Sequence, residues 1–437
     1  MVKDLGRGEV RILRADRRQI GFEMIDIEAL LVSGHQARLV WSFVESLSLE
    51  DFYAKIKSVE GEAGRPAADP AVLLALWLYA TIEGVGSARE LARLVGRDVA
   101  YRWLAGGVAV NYHGLSDFRV DHGEVLDKLL TQSVAALMTD GLVKFEEVLI
   151  DGTKIKASAG AGSFGRKDRM QRIEKIAGER VAQLKTELES DPEASVRRKK
   201  AAQLRAATEL GERAAKALKV LKQLQEEKEQ RALTHKTEED EKPEPRASLS
   251  DPEARIMRFP DRSFKPGYNV QIVADASGLV LAVEATDRRN DTGLAKPMVE
   301  QLVKRYGKLP QRLLADSQYA TAEDILALAT DARGKVEVYS PEAFERPDVK
   351  PETLRKRQVQ KLQEPQALKD WRARMGTSLG QEIYRRRKRI ELVNAHIKNR
   401  GFGLLALRGL AKVKITALLH ALANNITLAH HLRQQPA

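Results

Sequence analysis

Residues 384–398 read YRRRKRIELVNAHIK, a spacing typical of an amphipathic helix. The polar face carries four residues: Tyr384, Arg387, Glu391 and Lys398. Because an α-helix turns about 100° per residue, these side chains fall within roughly 60° of one another. A separate apolar face carries Ile383, Ile390, Val393 and Ile397. We expect the apolar face to dock on a sheet while the polar face lines a site beside it. The alternative is a solvated helix with ordinary ion pairs.

Two further acids follow short apolar runs. Residues 145–151 read FEEVLID and residues 313–316 read LLAD, and each run resembles a buried strand. We predict that these strands end at Asp151 and Asp316. Functional groups gather where the strands of open α/β sheets end, so both carboxylates are candidates for a site. Either aspartate taken alone could instead cap a turn or a helix.

The second half of the chain alternates strand and helix patterns. Residues 268–274 and 280–285 predict two strands joined by a hairpin-type turn at 275–278. Helices at about 292–306 and 322–331 and a strand at 336–339 are predicted beyond them. The order is strand, long insertion, two strands, helix, strand, helix, strand and then helices. It predicts a ribonuclease-H-like α/β core with a mixed sheet, interrupted after its first strand.

The insertion is charged and helical in pattern. A heptad seam repeats at Leu210, Ala214, Ala217, Leu221 and Leu224. Ser190, Asp191 and Pro192 interrupt the pattern, and EEDEKPEPR at 238–246 is typical of a polar linker. We predict an antiparallel coiled-coil hairpin with its linker over residues 161–245, which leaves 141–160 and 246–437 for the α/β core.

Residues 1–140 predict an all-helical domain, although residues 1–60 show no clear pattern. PAVLLALWLYATI begins at Pro70, Ser87 and Glu90 have capping-box spacing, and Asp98 can cap another short helix. A longer helix is expected from Ser116 to about Met138. Short helices separated by glycine turns suit a helix-turn-helix-like unit, and an ordinary small helical bundle is the alternative.

Composition excludes several classes of protein. The chain has no cysteine, which excludes disulfides, thiol nucleophiles and Cys-ligated zinc. No run of about 18 apolar residues predicts a membrane span, and the N-terminus lacks the apolar segment of a signal peptide. We therefore expect a cytoplasmic protein. The 73 Lys and Arg against 61 Asp and Glu give a net charge of +12, which favours a polyanionic partner, most commonly nucleic acid; a merely basic soluble protein is the alternative.

The motif Y-x2-R-x3-E-x6-K at 384–398 resembles, letter for letter, the one around the catalytic glutamate of a large group of bacterial insertion-sequence transposases of the DDE type. Other segments resemble the same group, and together they cover about residues 65–430: 68–107, 250–259, 264–275 and 313–321. One departure occurs after the second aspartate. A Gly-Tyr pair often follows it one residue later, whereas here the chain reads Asp316, Ser317, Gln318, Tyr319.

The resemblance implies a ribonuclease-H-like fold and phosphoryl transfer assisted by two Mg²⁺ ions, for which Mn²⁺ can substitute. It makes Asp151, Asp316 and Glu391 the catalytic, metal-binding acids, with Asp151 bridging the ions. It also implies that Tyr384, Arg387 and Lys398 contact phosphate near the cut end. The same comparison implies double-stranded DNA as partner, both terminal inverted repeats and target, bound by a homodimer in the bacterial nucleoid.

The helical domain is then expected to bind DNA, and its candidate contacts are Arg89, Arg93, Arg97 and Arg102. Two alternatives stay open at this point: a non-catalytic, sequence-specific DNA-binding relative, and a ribonuclease-H-fold nuclease or resolvase. Three other acids, Asp275, Asp287 and Asp291, are interpreted as turn residues. Trp371 is expected to pack in the core, with stacking on an extruded base as the alternative.

Overall fold

The computed structural model describes residues 24, 26–56, 58, 66–190, 194–235, 244–342, 359–403 and 407–435. The predicted helix interruption at Asp191 and Pro192 lies outside the described residues, as does most of the predicted linker at 238–246. The same holds for the first 23 residues, on which the expectation about a signal peptide rests. No helix among the described ranges is long and apolar enough to cross a membrane.

The N-terminal part is helical. Its α-helices are α1 (Gln36–Glu45), α2 (Glu50–Tyr53), α3 (Pro70–Ile82), α4 (Ala88–Val95), α5 (Val99–Ala105), α6 (Tyr112–Asp121) and α7 (Gly123–Thr139). Asp69 caps α3 by accepting from the Ala71 N–H, and Pro70 occupies its first turn, where a missing N–H costs nothing. The α3 helix is buried almost throughout. The single helix predicted from Ser116 to Met138 is wrong, because the chain leaves helical geometry at His122 and divides it into α6 and α7.

Two long helices follow the first core strand: α8 (Lys167–Ser190) and α9 (Ala194–His235). They run in opposite directions, since Lys200 lies 3.8 Å from Glu187 while Gly211 lies against Ala177 further along. Three positions of the predicted seam are buried: Ala214, Ala217 and Leu221. Short strands β2 (Phe164–Gly165) and β3 (Ala247–Ser248) pair antiparallel at the base of the two helices.

The core sheet is mixed, as predicted. Its strands are β1 (Glu147–Lys156), β4 (Arg255–Arg258), β5 (Phe264–Asp275), β6 (Val280–Thr286), β7 (Arg312–Leu314) and β8 (Glu337–Tyr339). Along the main path the order is β6, β5, β1, β7, β8, and β4 pairs with the beginning of β5. β1 is antiparallel to β5 and parallel to β7, and β7 is parallel to β8. The central position of β1 follows from its apolar residues, which are buried on both sides of the sheet.

Helices cover the sheet: α10 (Ala295–Tyr306), α11 (Ala322–Ala329), α12 (Gln366–Gly376), α13 (Ser378–Arg385), α14 (Lys388–Asn399) and α15 (Leu410–Gln434). The last of these, α15, packs on β6 and also on α3 and α7. One hydrophobic cluster therefore includes both the N-terminal helices and the sheet. This shared core fixes the N-terminal helices relative to β1 and to the helix that carries Glu391.

Candidate active site

The pairing of β1 with β7 brings two of the predicted acids together. Leu149 is paired with Leu314, and the parallel ladder assigned to these strands ends at that pair. Asp151 and Asp316 each lie two residues further along. Because residues two apart share one face of a strand, the register directs both carboxylates to the same side of the sheet. The two carboxylates also interact electrostatically, since the charge of Asp316 adds to the effect of burial in raising the pKa of Asp151.

The prediction that β1 ends at Asp151 is wrong. β1 continues to Lys156, and Asp151 lies in its middle, opposite Ile272 of β5. What ends near Asp151 is β7, the neighbour on the other side, which stops at Leu314. The carboxylate is therefore next to a gap in the sheet, with its backbone still held by β5.

Asp151 has two polar contacts from the motif helix. Asn394 donates from Nδ2 to Oδ2 at 2.8 Å, and a terminal nitrogen of Arg387 lies 3.9 Å from Oδ1. Burial raises the pKa of Asp151 to about 6. The charges of Asp316 and Asp291 add to that rise, whereas Arg387 and Asn394 oppose it. The site therefore concentrates negative charge that only a nearby cation or proton can relieve.

Asp316 is fixed by the loop that follows β7. Its Oδ1 accepts the backbone N–H of Gln318 at 2.8 Å, and its carbonyl oxygen accepts the Ser340 hydroxyl from beyond β8. Burial raises its pKa, and the charge of Asp291 adds to that effect. The position after a short apolar strand agrees with the prediction made for LLAD.

The motif helix is not continuous. α13 ends at Arg385 and α14 begins at Lys388. Arg386 and Arg387 form a tight turn between them, in which Arg387 N–H donates to the Tyr384 carbonyl three residues back. The predicted single stripe is therefore interrupted between Tyr384 and Arg387, although the guanidinium carbon of Arg387 still lies 5.9 Å from the Tyr384 ring centre. The predicted apolar face is buried as expected, at Ile383, Ile390, Val393 and Ile397.

Arg387 lies between two of the predicted acids. It donates from Nη2 to Glu391 Oε1 at 2.5 Å, whereas its Nη1 approaches Asp151. Glu391 itself is half exposed, and Lys398 is exposed two turns further along α14. Within the described ranges, no three acid or imidazole side chains are grouped closely enough to hold one ion.

The donor atoms of these residues suit a divalent cation in their chemistry, although the described side chains do not converge on one point. Carboxylate oxygens are the ligands that Mg²⁺ prefers. The Arg387 guanidinium already places a positive charge beside both Asp151 and Glu391. A cation held by both carboxylates would require Glu391 to exchange its contact with Arg387 for the ion.

A fourth acid, Asp291, begins a turn as interpreted, since its carbonyl accepts the Leu294 N–H, but the place of its side chain beside the site was missed. It is buried beside Gly152, and its Oδ1 accepts from Asn269 and Gln271 at 2.7 Å each. Tyr319 donates to the same Gln271. A signal was present in the sequence, because Asn269 and Gln271 alternate with apolar residues in the strand predicted at 268–274, which the structure buries. Buried amides need polar partners, and here Asp291 is one of them.

The other two acids and the tryptophan agree with their interpretations. Asp275 Oδ1 accepts the backbone N–H groups of Ser277, Gly278 and Leu279, which closes the β5–β6 turn. Asp287 lies in a loop and pairs with Arg255 at 2.6 Å. Trp371 is packed in the core and donates to the Ser340 carbonyl at 3.0 Å.

The four arginines of the N-terminal helices lie on or between α4 and α5. Arg89, Arg93 and Arg97 are exposed, and Arg102 is half buried. Arg93 pairs with Glu90 on its own helix, while Arg89 lies over the ring of Tyr112. Their exposure leaves three cationic groups facing solvent on one short segment.

Two family models match the chain. Residues 254–426 match a transposase DDE domain. The chain is a DDE transposase, an enzyme that cleaves DNA and transfers strands. Residues 25–121 match a second model, transposase domain (DUF772), which together with the first supports an insertion-sequence transposase. No significant match is found among curated proteins or among solved structures.

The match to the DDE domain covers two of the three predicted acids. The DDE match includes Asp316 and Glu391, but it begins at Ala254 and so leaves out β1 with Asp151. The long helices α8 and α9 separate β1 from the rest of the sheet in the chain. Only the folded sheet brings Asp151 beside Asp316. Membership in this family favours a transposase over the nuclease or resolvase and over a non-catalytic binding protein.

We predict that Asp151→Asn stabilises the metal-free transposase at neutral pH. The folded-state pKa of Asp151 is raised to about 6 from 3.8, so the ionised native state is destabilised above that pH. In EDTA at pH 8, the variant should gain on the order of 2 kcal/mol in free energy of unfolding. This gain should shrink as the pH falls from 6 towards 4, where the native carboxyl becomes protonated. A gain that grew on acidification would contradict the assigned environment.

We also predict that Gly152→Ala destabilises the protein. A Cβ atom there would lie 2.2 Å from Asp291 Oδ1 and 2.8 Å from Gln271 Nε2, and both side chains are held by hydrogen bonds. Urea denaturation should show a loss of about 1–3 kcal/mol. Gly160→Ala is the control, because no atom lies within 4 Å of its Cβ position. Equal effects of the two substitutions would show that Asp291 is not held against β1.

Proposed function

We propose that this transposase cuts DNA at the ends of an insertion element and joins those ends to target DNA, with Asp151, Asp316 and Glu391 as its catalytic acids. The observation that carries the proposal is the parallel register of β1 and β7, which aligns Asp151 with Asp316. The hydrogen bond from Asn394 to Asp151 supports the assignment of Glu391. Asn394 lies one turn beyond Glu391 on α14, so this bond holds the helix that carries Glu391 against Asp151.

Two divalent ions are part of the proposal. Bound Mg²⁺, for which Mn²⁺ can substitute, would supply an activated water and stabilise the leaving 3′ oxygen. Asp151, Asp316 and Glu391 would hold the ions. The raised pKa values of Asp151 and Asp316 support this role, since a bound cation would offset both the burial and the repulsion that raise them.

The remaining motif residues are proposed to hold DNA. Once Glu391 turned to a metal ion, the guanidinium of Arg387 would be free to bind a phosphate through its planar fork. Tyr384 lies beside it, and Lys398 extends the cationic surface along α14. These contacts would assign the chain to the subgroup defined by the motif Y-(2)-R-(3)-E-(6)-K.

We infer that three segments of the chain have different functions. Residues 1–140 would bind element ends, and residues 141–160 with 246–437 would carry out the chemistry. Residues 161–245 would form a coiled-coil arm. A homodimer would hold two ends together, as joining both ends of an element to one target requires. The exposed Arg89, Arg93 and Arg97 support the DNA-binding assignment of the first segment.

Substitution of the three carboxylates should abolish cleavage without weakening DNA binding. Asp151→Asn, Asp316→Asn and Glu391→Gln keep shape but remove charge, so each should lower Mg²⁺-dependent cleavage of a duplex carrying the element ends by about 10³-fold or more. Binding of the same duplex in Ca²⁺, measured by gel shift, should persist or tighten because repulsion of phosphate is reduced.

The matched control for these variants is Glu382→Gln, since Glu382 is exposed on the adjoining α13 helix and has only a 4.0 Å contact with Arg386. It should cleave within about twofold of the parent enzyme, as surface substitutions usually do. Asp291 is unsuitable as a control because it lies beside the site. Full cleavage by any of the three carboxylate variants would remove that residue from the catalytic set.

The arginine segment should act by neutralising phosphates of the DNA backbone. Arg89→Gln, Arg93→Gln and Arg97→Gln, combined, should weaken binding to any duplex. They should also lower the slope of log K against log salt by about 1 for each phosphate that is no longer neutralised. Lys308→Gln, at an exposed cation beyond α10, is the control and should leave the slope unchanged. An unchanged slope in the triple variant would place the DNA elsewhere on the protein.

A further inference from the structure

A cavity of about 270 Å³ lies where the N-terminal helices meet the last two helices of the chain. The lining comes from α3 and the loop after it, from α6, from the end of α14 and from α15. Gly84 and Gly401 bring two loop backbones together, and both adopt left-handed φ values, of 77° and 86°. The cavity is thus bounded by both family-matched segments, and it reaches the end of the helix that carries Asn394.

Three nitrogen atoms of this lining are buried without a hydrogen-bond partner: Arg119 Nε, Arg400 Nη1 and His420 Nδ1. Arg119 and His420 are only 7% and 5% exposed. Arg119 does donate to the Gly86 carbonyl at 2.7 Å and lies over the Trp77 ring at 4.2 Å. Arg400 donates to the Thr427 hydroxyl at 3.1 Å. Each of the two guanidinium groups therefore donates a hydrogen bond through one nitrogen atom, while another of its nitrogen atoms is buried without a partner.

No carboxylate compensates these charges within the described part of the chain. The cavity lining contains no Asp or Glu. Burial lowers the pKa of both Arg119 and Arg400, and no acidic neighbour opposes that effect. The nearby Arg400 charge also helps to lower the pKa of His420. Burying an unpaired guanidinium is costly, so two in one cavity indicate a missing counter-charge.

We propose that this cavity is a binding site for a phosphate group. The unsatisfied donors come from three separate helices or their ends, so they can reach several oxygens of one tetrahedral anion. Guanidinium groups bind phosphate through their planar forks, and the neutral imidazole of His420 can donate a third hydrogen bond. The cavity also borders the N-terminal end of α4, where the helix dipole favours an anion.

The phosphate could be inorganic phosphate or a phosphate of the DNA backbone. In either case the ligand would connect the N-terminal helices, through Arg119, with the end of the helix that carries Glu391, through Arg400. The site is distinct from the carboxylate cluster and does not depend on how that cluster works. Its test therefore needs no cleavage assay.

The test is thermal unfolding of the full-length protein in EDTA, with inorganic phosphate exchanged for chloride at constant ionic strength. Phosphate should raise the Tm by about 2 °C for each tenfold increase above its Kd. Arg400→Met keeps the length of the side chain and removes its charge, so it should abolish this rise. In chloride its Tm should equal or exceed that of the parent protein. Arg258→Met, at an exposed arginine, is the control and should keep the full phosphate effect.

An excess of a short duplex distinguishes the two sources of phosphate. If a backbone phosphate occupies the cavity, the duplex removes the effect of inorganic phosphate and Arg400→Met weakens duplex binding about tenfold or more. If a free anion occupies it, the two effects add and Arg400→Met binds the duplex as the parent does. A parent Tm that responds equally to phosphate and chloride would overturn the proposal, and this measurement requires no variant. A phosphate effect retained in Arg400→Met would overturn it as well.

Discussion

The site depends on the parallel pairing of β1 with β7. Three backbone pairs, ending at Leu149 and Leu314, set where Asp151 and Asp316 stand relative to each other. A shift of one residue in either strand would turn one carboxylate to the opposite face of the sheet. The antiparallel ladder with β5 holds β1 in place over nine residues, and this is why a strand from the first half of the chain can share a site with residues from the second half.

Charge imposes the second constraint. Burial raises the pKa of Asp151 and of Asp316, and the nearby charge of Asp291 adds to both rises. Arg387 opposes both rises, and Asn394 opposes that of Asp151. In the cavity beside α3 the uncompensated charge is positive, because Arg119 and Arg400 are buried there without an acid among the described residues. Both places favour a partner of opposite charge, and we propose metal ions at the carboxylates and a phosphate group in the cavity.

Much of this architecture can be predicted from local sequence. Apolar runs located β1 and β7, and the helical spacing around Glu391 located α14. The continuation of β1 past Asp151 was missed because GTKIK contains only one large apolar residue, so its strand character depends on pairing with β5. The break between α13 and α14 at Arg386 and Arg387 was missed because no glycine or proline occurs there. The environments of Arg119 and Arg400 could not be predicted, because the lack of a partner arises only when distant segments meet. For Asp291, the amides of β5 indicated a buried polar partner but did not identify which residue it is.

The most direct test of the account is the position of Mn²⁺ in crystals of the full-length protein, found from its anomalous scattering. The account predicts a Mn²⁺ peak between the carboxylates of Asp151 and Asp316, with Glu391 turned from Arg387 towards the metal. It would be contradicted by Mn²⁺ bound elsewhere while Asp151 and Asp316 stay free of metal, since the register of β1 and β7 would then have no role in binding the ion.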